Sequence, residues 1–296
     1  MSKLIVILGP TATGKTKLAA RLAFEFDGEI ISADSRQVYK GMNIGTGKDL
    51  DDYVVNGKKV PYHLIDILEP EEEYNLYSFK ENFLQAYDDI LARGKSPFLA
   101  GGTGMYLSAI INNYQLKQIN FEADEYAKLN SLNFEELKNI LLTVKSTLHN
   151  KTDLVDKERV IKAILVAKAM ENKLNRNISS LIIGINLERS EVKKRITERL
   201  KKRLDEGMID EIKMLVENGI SFEKLNYFGL EYKFAGMYLK GELSYMAMFQ
   251  KLNSAIHNFA KRQITWFRKI EKEGTQIHWI HGNDFEEAKE IIIKNR

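Results

Sequence analysis

The octapeptide Gly9-Pro10-Thr11-Ala12-Thr13-Gly14-Lys15-Thr16 constrains this chain more than any other segment. It fits GxxxxGK[ST], a loop whose backbone N–H groups cradle phosphates, provided a strand precedes it and a helix follows. Both conditions are met. Leu4–Leu8 is a short continuous apolar run that reads as a buried parallel strand, and residues 17–26 carry apolar side chains at helical spacing. Gly9 and Gly14 permit the tight turn, Lys15 supplies a point charge and the Thr16 hydroxyl can ligate Mg²⁺. The helix starting near Lys15 adds its positive end. The motif specifies a bound di- or triphosphate. It does not specify which one, nor that phosphate is the group that moves.

The strand–loop–helix rhythm repeats. Residues 29–33 read as a second strand and 97–100 as a third, followed by the turn Gly101-Gly102-Thr103-Gly104 and a helix over 105–111. Residues 181–187 and 277–280 are later strand candidates. Strands alternating with helices predict an α/β fold with a doubly wound, mostly parallel sheet of the P-loop type. Between residues 112 and 180 the rhythm stops. Stretches 134–148 and 157–170 look helical with no strand signal between them, so 112–180 is expected to be a small helical insertion in a domain formed by 1–111 and 181–296. A long amphipathic helix follows residue 187. Val192, Ile196, Leu200 and Leu204 form its apolar stripe, and seven cations, Arg195 and Arg199 among them, fill other positions.

Composition closes off several chemistries. With no cysteine there are no disulfides, thiolate nucleophiles or cysteine zinc sites, and the five histidines lack HExxH-type spacing. The apolar run at Leu4–Leu8 is too short for a signal sequence, and no stretch approaches the roughly 20 apolar residues of a membrane helix. A cytoplasmic, non-membrane protein is expected, monomeric by default. The net charge of +3 is too small to prove a polyanionic partner.

Three further features bear on a site, and each reads two ways. Asp34, in Ala33-Asp34-Ser35-Arg36-Gln37, stands at the end of the second strand. There it is either an N-cap or a cleft carboxylate serving as general base or Mg²⁺ partner. The Gly101–Gly104 turn is either a plain tight turn or a second flexible backbone beside the cleft, with the Thr103 hydroxyl aimed into it. The cations around Arg195, and Lys261 and Arg262 in the stretch AKRQITWFRK, are either a solvated face over a core holding Trp266 and Phe267 or a nucleic-acid contact.

Taken together, the motifs resemble the tRNA dimethylallyltransferase (isopentenyltransferase) family. The matching stretches are GPTATGKT from Gly9, ISADSRQVYKGMNIGTGK from Ile31, HLID from His63, FLAGGTGMYL from Phe98, GMIDEI from Gly207 and AKRQITWFRK from Ala260. They occur in family order over nearly the whole chain. The resemblance implies transfer of a dimethylallyl group from dimethylallyl diphosphate to the exocyclic amine of adenosine 37 of tRNA. It further implies that the P-loop and Mg²⁺ hold the leaving diphosphate, with Arg195 as a second cation. Asp34 would take the amine proton and Thr103 would orient the reacting centre. Ser35, Arg36 and Gln37 match the stretch that contacts the flipped base, which must leave its stack to react. Glu158, Arg159, Val160, Ile161 and Lys162 match the tRNA-contacting helix of the insertion. The chain departs from the family pattern at residues 150–156, at 228–233 (FGLEYK) and just before AKRQ, where Ile256-His257-Asn258-Phe259 stands. Three rivals remain: an adenylate isopentenyltransferase acting on a free nucleotide, a P-loop small-molecule kinase, and a non-catalytic RNA-binding protein that keeps a P-loop.

Overall fold

Leu4–Leu8 forms strand β1, and all five side chains are buried because the sheet is covered on both faces. In this computed structural model, which describes residues 3–116, 123–144, 156–168, 174 and 176–295, alternate residues of β1 serve two different cores. Leu4, Val6 and Leu8 face the larger core and Ile5 and Ile7 the smaller, following the two-residue period of a strand. The loop after β1 leads into helix α1 (Lys15–Glu25), which packs Leu18, Ala19 and Leu22 against Ile5 and Ile7. Strand β2 (Gly28–Ala33) follows, then a 3₁₀ turn (Leu50–Tyr53), a small hairpin of β3 (Val54–Val55) and β4 (Lys58–Lys59), and the two-residue strand β5 (Tyr62–His63). Helix α2 (Leu76–Ala92), capped by the Asn75 side chain, covers the other face through Phe79 and Phe83 and leads to β6 (Ser96–Gly101) and α3 (Gly104–Ile111).

After the insertion come β7 (Ser180–Asn186) and α7 (Arg189–Asp205), then α8 (Met208–Glu217), α9 (Phe222–Tyr227) and α10 (Leu230–Leu239). The 28-residue α11 (Tyr245–Lys272), β8 (His278–His281) and α12 (Phe285–Asn295) complete the described chain. The main sheet has six strands in the order β5-β2-β6-β1-β7-β8, and every pair is parallel. This is the expected doubly wound α/β architecture. Helix α7 buries Val192, Ile196 and Leu200, leaving Leu204 half-buried. Helix α11 turns one continuous stripe inward, from Met248 through Leu252, Ile256, Ala260, Gln263 and Phe267 to Ile270. The stripe steps by three or four, so it stays on one side of a helix of 3.6 residues per turn. No helix among the described residues is long and apolar enough to cross a membrane.

The chain divides into two compact units. One comprises residues 1–113 and 177–296, the other Tyr114–Arg176. The second unit contains α4 (Ala123–Ser131), α5 (Phe134–Val144) and α6 (Lys157–Lys168), packed around Leu129, Leu137, Leu141, Val160, Ile161, Ile164 and Leu165. The expected helices over 134–148 and 157–170 extend in part beyond the described residues, as does most of the divergent 150–156 stretch. The assignment of Val160 and Ile161 to RNA contact needs correction. Both side chains have no solvent exposure and hold the helices of this unit together. Glu158, Arg159 and Lys162 of the same helix are exposed, with Glu158 and Lys162 paired at 2.6 Å.

Candidate active site

The ends of β1, β6 and β2 open onto one cavity of about 350 Å³, lined in part by Thr11, Lys15, Thr16, Asp34 and Thr103. The loop after β1 is wound tightly enough to aim its amides into this space. Ala12 and Gly14 both take left-handed backbone conformations, at φ 66° and 78°. The Thr13 hydroxyl donates to the Pro10 carbonyl at 2.8 Å and is itself fully buried. Gly14 caps α1 without a side chain, so the first N–H groups of that helix remain open to an anion. Lys15 Nζ donates to the Pro10 carbonyl at 3.2 Å. Burial and the neighbouring Arg199 charge lower its pKa to about 8, against an opposing pull from Asp34.

The two oxygens of Asp34 have different surroundings. Its Oδ1 accepts from the backbone N–H groups of Arg36 (2.9 Å) and Gln37 (3.4 Å), so it caps a turn rather than a helix. Its Oδ2 has no hydrogen-bond partner among the described residues, and the side chain lines the cavity. Ser35, Arg36 and Gln37 line it too. The Arg36 guanidinium lies 4.6 Å from the centre of the Tyr227 ring. The Gln37 amide is engaged within the protein, accepting from the Ser32 hydroxyl at 3.1 Å and donating to the Gly47 carbonyl at 3.0 Å. Thr103 caps α3 through its carbonyl, which accepts from Tyr106 and Leu107, while its hydroxyl makes no capping bond.

Two side chains that sequence reasoning missed hold this arrangement together. Gln263 of α11 is buried. Its Oε1 accepts from Thr11 N–H at 2.8 Å and its Nε2 donates to the Gly102 carbonyl at 2.8 Å, joining the P-loop to the second glycine turn. Glu211 of α8 accepts from three successive backbone N–H groups, those of Asn43 (2.7 Å), Ile44 (2.7 Å) and Gly45 (3.0 Å), and from the Tyr232 hydroxyl (2.8 Å). It thereby fixes the loop that carries Gly47. Its only hint in the sequence is its place in the GMIDEI stretch.

Two cations of α7 flank the P-loop. Arg195 pairs with Glu191 at 2.5 Å and borders a neighbouring space of about 300 Å³ together with Lys15 and Thr16 of the P-loop, Asp52 and Glu198. Arg199, one turn later, donates to the Thr11 hydroxyl and lines both spaces. Burial and the charge of Arg203 lower the Arg199 pKa to about 10, which leaves it protonated at neutral pH. Lys261 and Arg262 are exposed on α11, and Arg262 lies over the Phe259 ring at the cavity. The described residues include no cluster of three His, Asp or Glu side chains able to cage a metal. The donor set fits Mg²⁺ in one way: it usually takes one or two protein oxygens and fills its shell with phosphate oxygens and water. The Thr16 hydroxyl on the cavity wall is such an oxygen.

A fully parallel sheet with this loop between β1 and α1 defines a P-loop α/β protein. The chain belongs to the IPP transferase family, whose model matches residues 37–270; a second model, isopentenyl transferase, matches residues 2–62. It is 47% identical over 301 residues to tRNA dimethylallyltransferase 1 of Syntrophus aciditrophicus, covering 100% of this chain and 99% of that one. To tRNA dimethylallyltransferase 1 of Geotalea daltonii it is 51% identical over 282 residues, 94% and 91% of the two chains. Among solved structures it is similar to the tRNA isopentenylpyrophosphate transferase of Bacillus halodurans (32% identity, TM-score 0.72, 100% of this chain and 96% of that one). It is also similar to a eukaryotic dimethylallyltransferase acting on tRNA (25% identity, TM-score 0.83, 100% and 80%).

Proposed function

We propose that this protein transfers the dimethylallyl group of dimethylallyl diphosphate to the exocyclic amine of adenosine 37 in tRNA and releases diphosphate. The observation that carries this reading is the strand order β2-β6-β1. The P-loop follows β1, Thr103 follows β6 and Asp34 follows β2. Adjacent strands lie about 4.8 Å apart, so the base stands about 10 Å from the phosphate loop with a hydroxyl between them. A kinase needs its acceptor next to the phosphorus on the P-loop. A prenyl donor places its reactive carbon beyond both phosphates, where the Thr103 and Asp34 side chains are.

The chemistry follows from these positions. The P-loop amides, Lys15 and Arg199 hold the diphosphate and take up the charge that grows on it as the carbon–oxygen bond breaks. Bound through Thr16 and the phosphate oxygens, Mg²⁺ would supply further charge neutralisation. The amine nitrogen forms the new bond to the allylic carbon, its proton passes to Asp34 Oδ2, and the electron pair of the broken bond leaves with the diphosphate. Ser35, Arg36 and Gln37 line the acceptor side, and Thr103 orients the reacting centre. Lys261 and, at the cavity wall, Arg262 meet RNA phosphates, while Glu158, Arg159 and Lys162 lie on the surface that the helical unit offers to the anticodon stem-loop. The protein acts in the cytoplasm as a monomer.

The test is incubation with Mg²⁺, dimethylallyl diphosphate and unmodified tRNA, with prenylated adenosine read by nucleoside mass spectrometry. Product with tRNA and not with free AMP supports the reading. Prenylated AMP alone, or ATP consumption with a small acceptor and no prenyl transfer, overturns it.

A further inference from the structure

Arg203 is a cavity cation without a settled role. It is only 6% exposed, the deepest cation on the cavity wall. Its guanidinium makes no hydrogen bond to any described residue, and its one ion pair there, to the exposed Asp49 carboxylate, is 3.7 Å long. None of its nitrogens is sealed from the cavity, since the one buried side-chain polar atom lacking a partner among the described residues belongs to Ser108. Its guanidinium donors, unmatched by the protein and open to the cavity, are available to the acceptor oxygens of an anion.

The surroundings are shaped for that guanidinium. Gly47 takes a left-handed conformation at φ 66°, and a Cβ built there would overlap the Arg203 guanidinium. Arg199 and Arg203 lie one turn apart on α7, and the Arg203 charge bears on Arg199 as the Arg199 charge bears on Lys15. Three cations thus run from the P-loop toward the Gly47 loop. Facing them is Glu231, in the first turn of α10, whose side chain lines the same cavity and makes no hydrogen bond to another described residue. Burial raises its pKa against the pull of Arg203 and Arg199. Its sequence stretch, FGLEYK, is one of the places where the chain leaves the family pattern.

We propose that Arg203 is a second substrate-phosphate site of this cavity, separate from the P-loop, and that Glu231 is the counter-ion whose place the phosphate takes. This rests on the reading that the cavity holds phosphate-bearing substrates. Two sources present the same chemistry: the outer oxygens of the donor diphosphate, and the backbone phosphate of the acceptor nucleotide. Arg203 lies against Gly47, whose carbonyl holds the Gln37 amide on the acceptor side, so both are within the reach of the geometry.

The test uses the full-length protein and three variants: Arg203→Met, which keeps the stem and removes the charge, Arg203→Lys and Glu231→Gln. Steady-state constants for dimethylallyl diphosphate and for tRNA are measured with titration of inorganic diphosphate by calorimetry. Arg203→Met should raise one KM about tenfold or more while kcat changes little, because a phosphate contact serves ground and transition states alike. If the donor KM and the diphosphate Kd rise together, the phosphate is the donor's. A rise confined to the tRNA KM makes it the acceptor's. Glu231→Gln should lower the same constant a few-fold, since the competing anion is gone. Unchanged constants in a folded Arg203→Met protein overturn the proposal. So does a Glu231→Gln effect in the same direction as Arg203→Met, which would make the two a structural pair. Should Arg203→Met not fold, the signs are read from Arg203→Lys and Glu231→Gln. Failure of the underlying function shows separately, as wild-type protein that forms no prenylated adenosine.

Discussion

Removing the Gln263 side chain should damage stability and donor binding together. In Gln263→Ala, the Thr11 N–H and the Gly102 carbonyl each lose a 2.8 Å partner, the first in a part-buried and the second in a buried setting. A buried polar group left unmatched costs about 1–3 kcal/mol, giving about 2–6 kcal/mol for the two. The adjoining cavity admits water to part of the site, which places the result near the lower end, about 2–3 kcal/mol. For a unit of this size that lowers Tm by about 5–10 °C. Loosening the Thr11 amide also releases one wall of the anion cradle, so the Kd for inorganic diphosphate should rise about tenfold. Gln263→Glu separates the two effects. It keeps an acceptor for Thr11 N–H, loses the donor to Gly102, and sets a negative charge beside the P-loop. Its diphosphate affinity should fall further than that of the alanine variant. Differential scanning calorimetry gives the first quantity and isothermal titration the second. A Gln263→Ala protein with Tm within about 1 °C of wild type and unchanged diphosphate affinity would refute the view that this amide clamps the two turns.

Asp34→Asn retains an oxygen for the Arg36 and Gln37 amides but cannot take a proton, so kcat should fall by about 10²–10⁴ with tRNA binding nearly unchanged; single-turnover transfer above a tenth of the wild-type rate would rule Asp34 out as the base. Lys15 binds phosphate as the ammonium ion, and burial with Arg199 holds its pKa at about 8. The ratio of wild-type to Lys15→Ala diphosphate affinity, which cancels the ligand's own ionisation, should therefore be level below about pH 7 and decline as pH rises through 8, approaching tenfold per pH unit. An identical pH dependence in wild type and Lys15→Ala would assign the step elsewhere. Glu211→Gln turns an amide NH₂ toward donors that the carboxylate now accepts, and charge-assisted bonds are worth about 1.5–3 kcal/mol each. We expect a loss of about 2–4 kcal/mol and a raised KM for tRNA, because the loop it fixes holds Gln37 through Gly47; a normal tRNA KM in a destabilised protein would show that Glu211 serves stability alone.

What the sequence made readable was local. The P-loop announces itself because every group it needs lies within eight residues, and the strand before it is continuous apolar sequence. Even the face of α6 was readable: Val160 with Ile164, and Ile161 with Leu165, recur at helical spacing and mark a core-facing stripe. The match to a tRNA-contacting helix points two of them toward RNA instead. The two-residue β5 is too short to carry a periodic signal. Arg195, Arg199 and Arg203 share one stripe of α7 at spacing four, so periodicity treats them alike. Which of them meets Thr11 depends on where along its axis α7 passes the P-loop, a quantity that packing sets.

The same limit holds for the side chains that assemble the site. Gln263 reaches a residue 252 positions away, and Glu211 reaches loop residues 166 to 168 positions away. No local pattern encodes either bond. The distance from phosphate loop to Asp34 is non-local in the same way, because β6, which comes third among the long strands in sequence, inserts between β1 and β2 in the sheet. Had β2 paired directly with β1, Asp34 would stand about 5 Å nearer the P-loop, alongside the phosphates themselves. The P-loop motif is therefore indifferent to the reaction, and the inserted strand sets the spacing at which, in the proposed reaction, the allylic carbon would meet the amine beside Asp34.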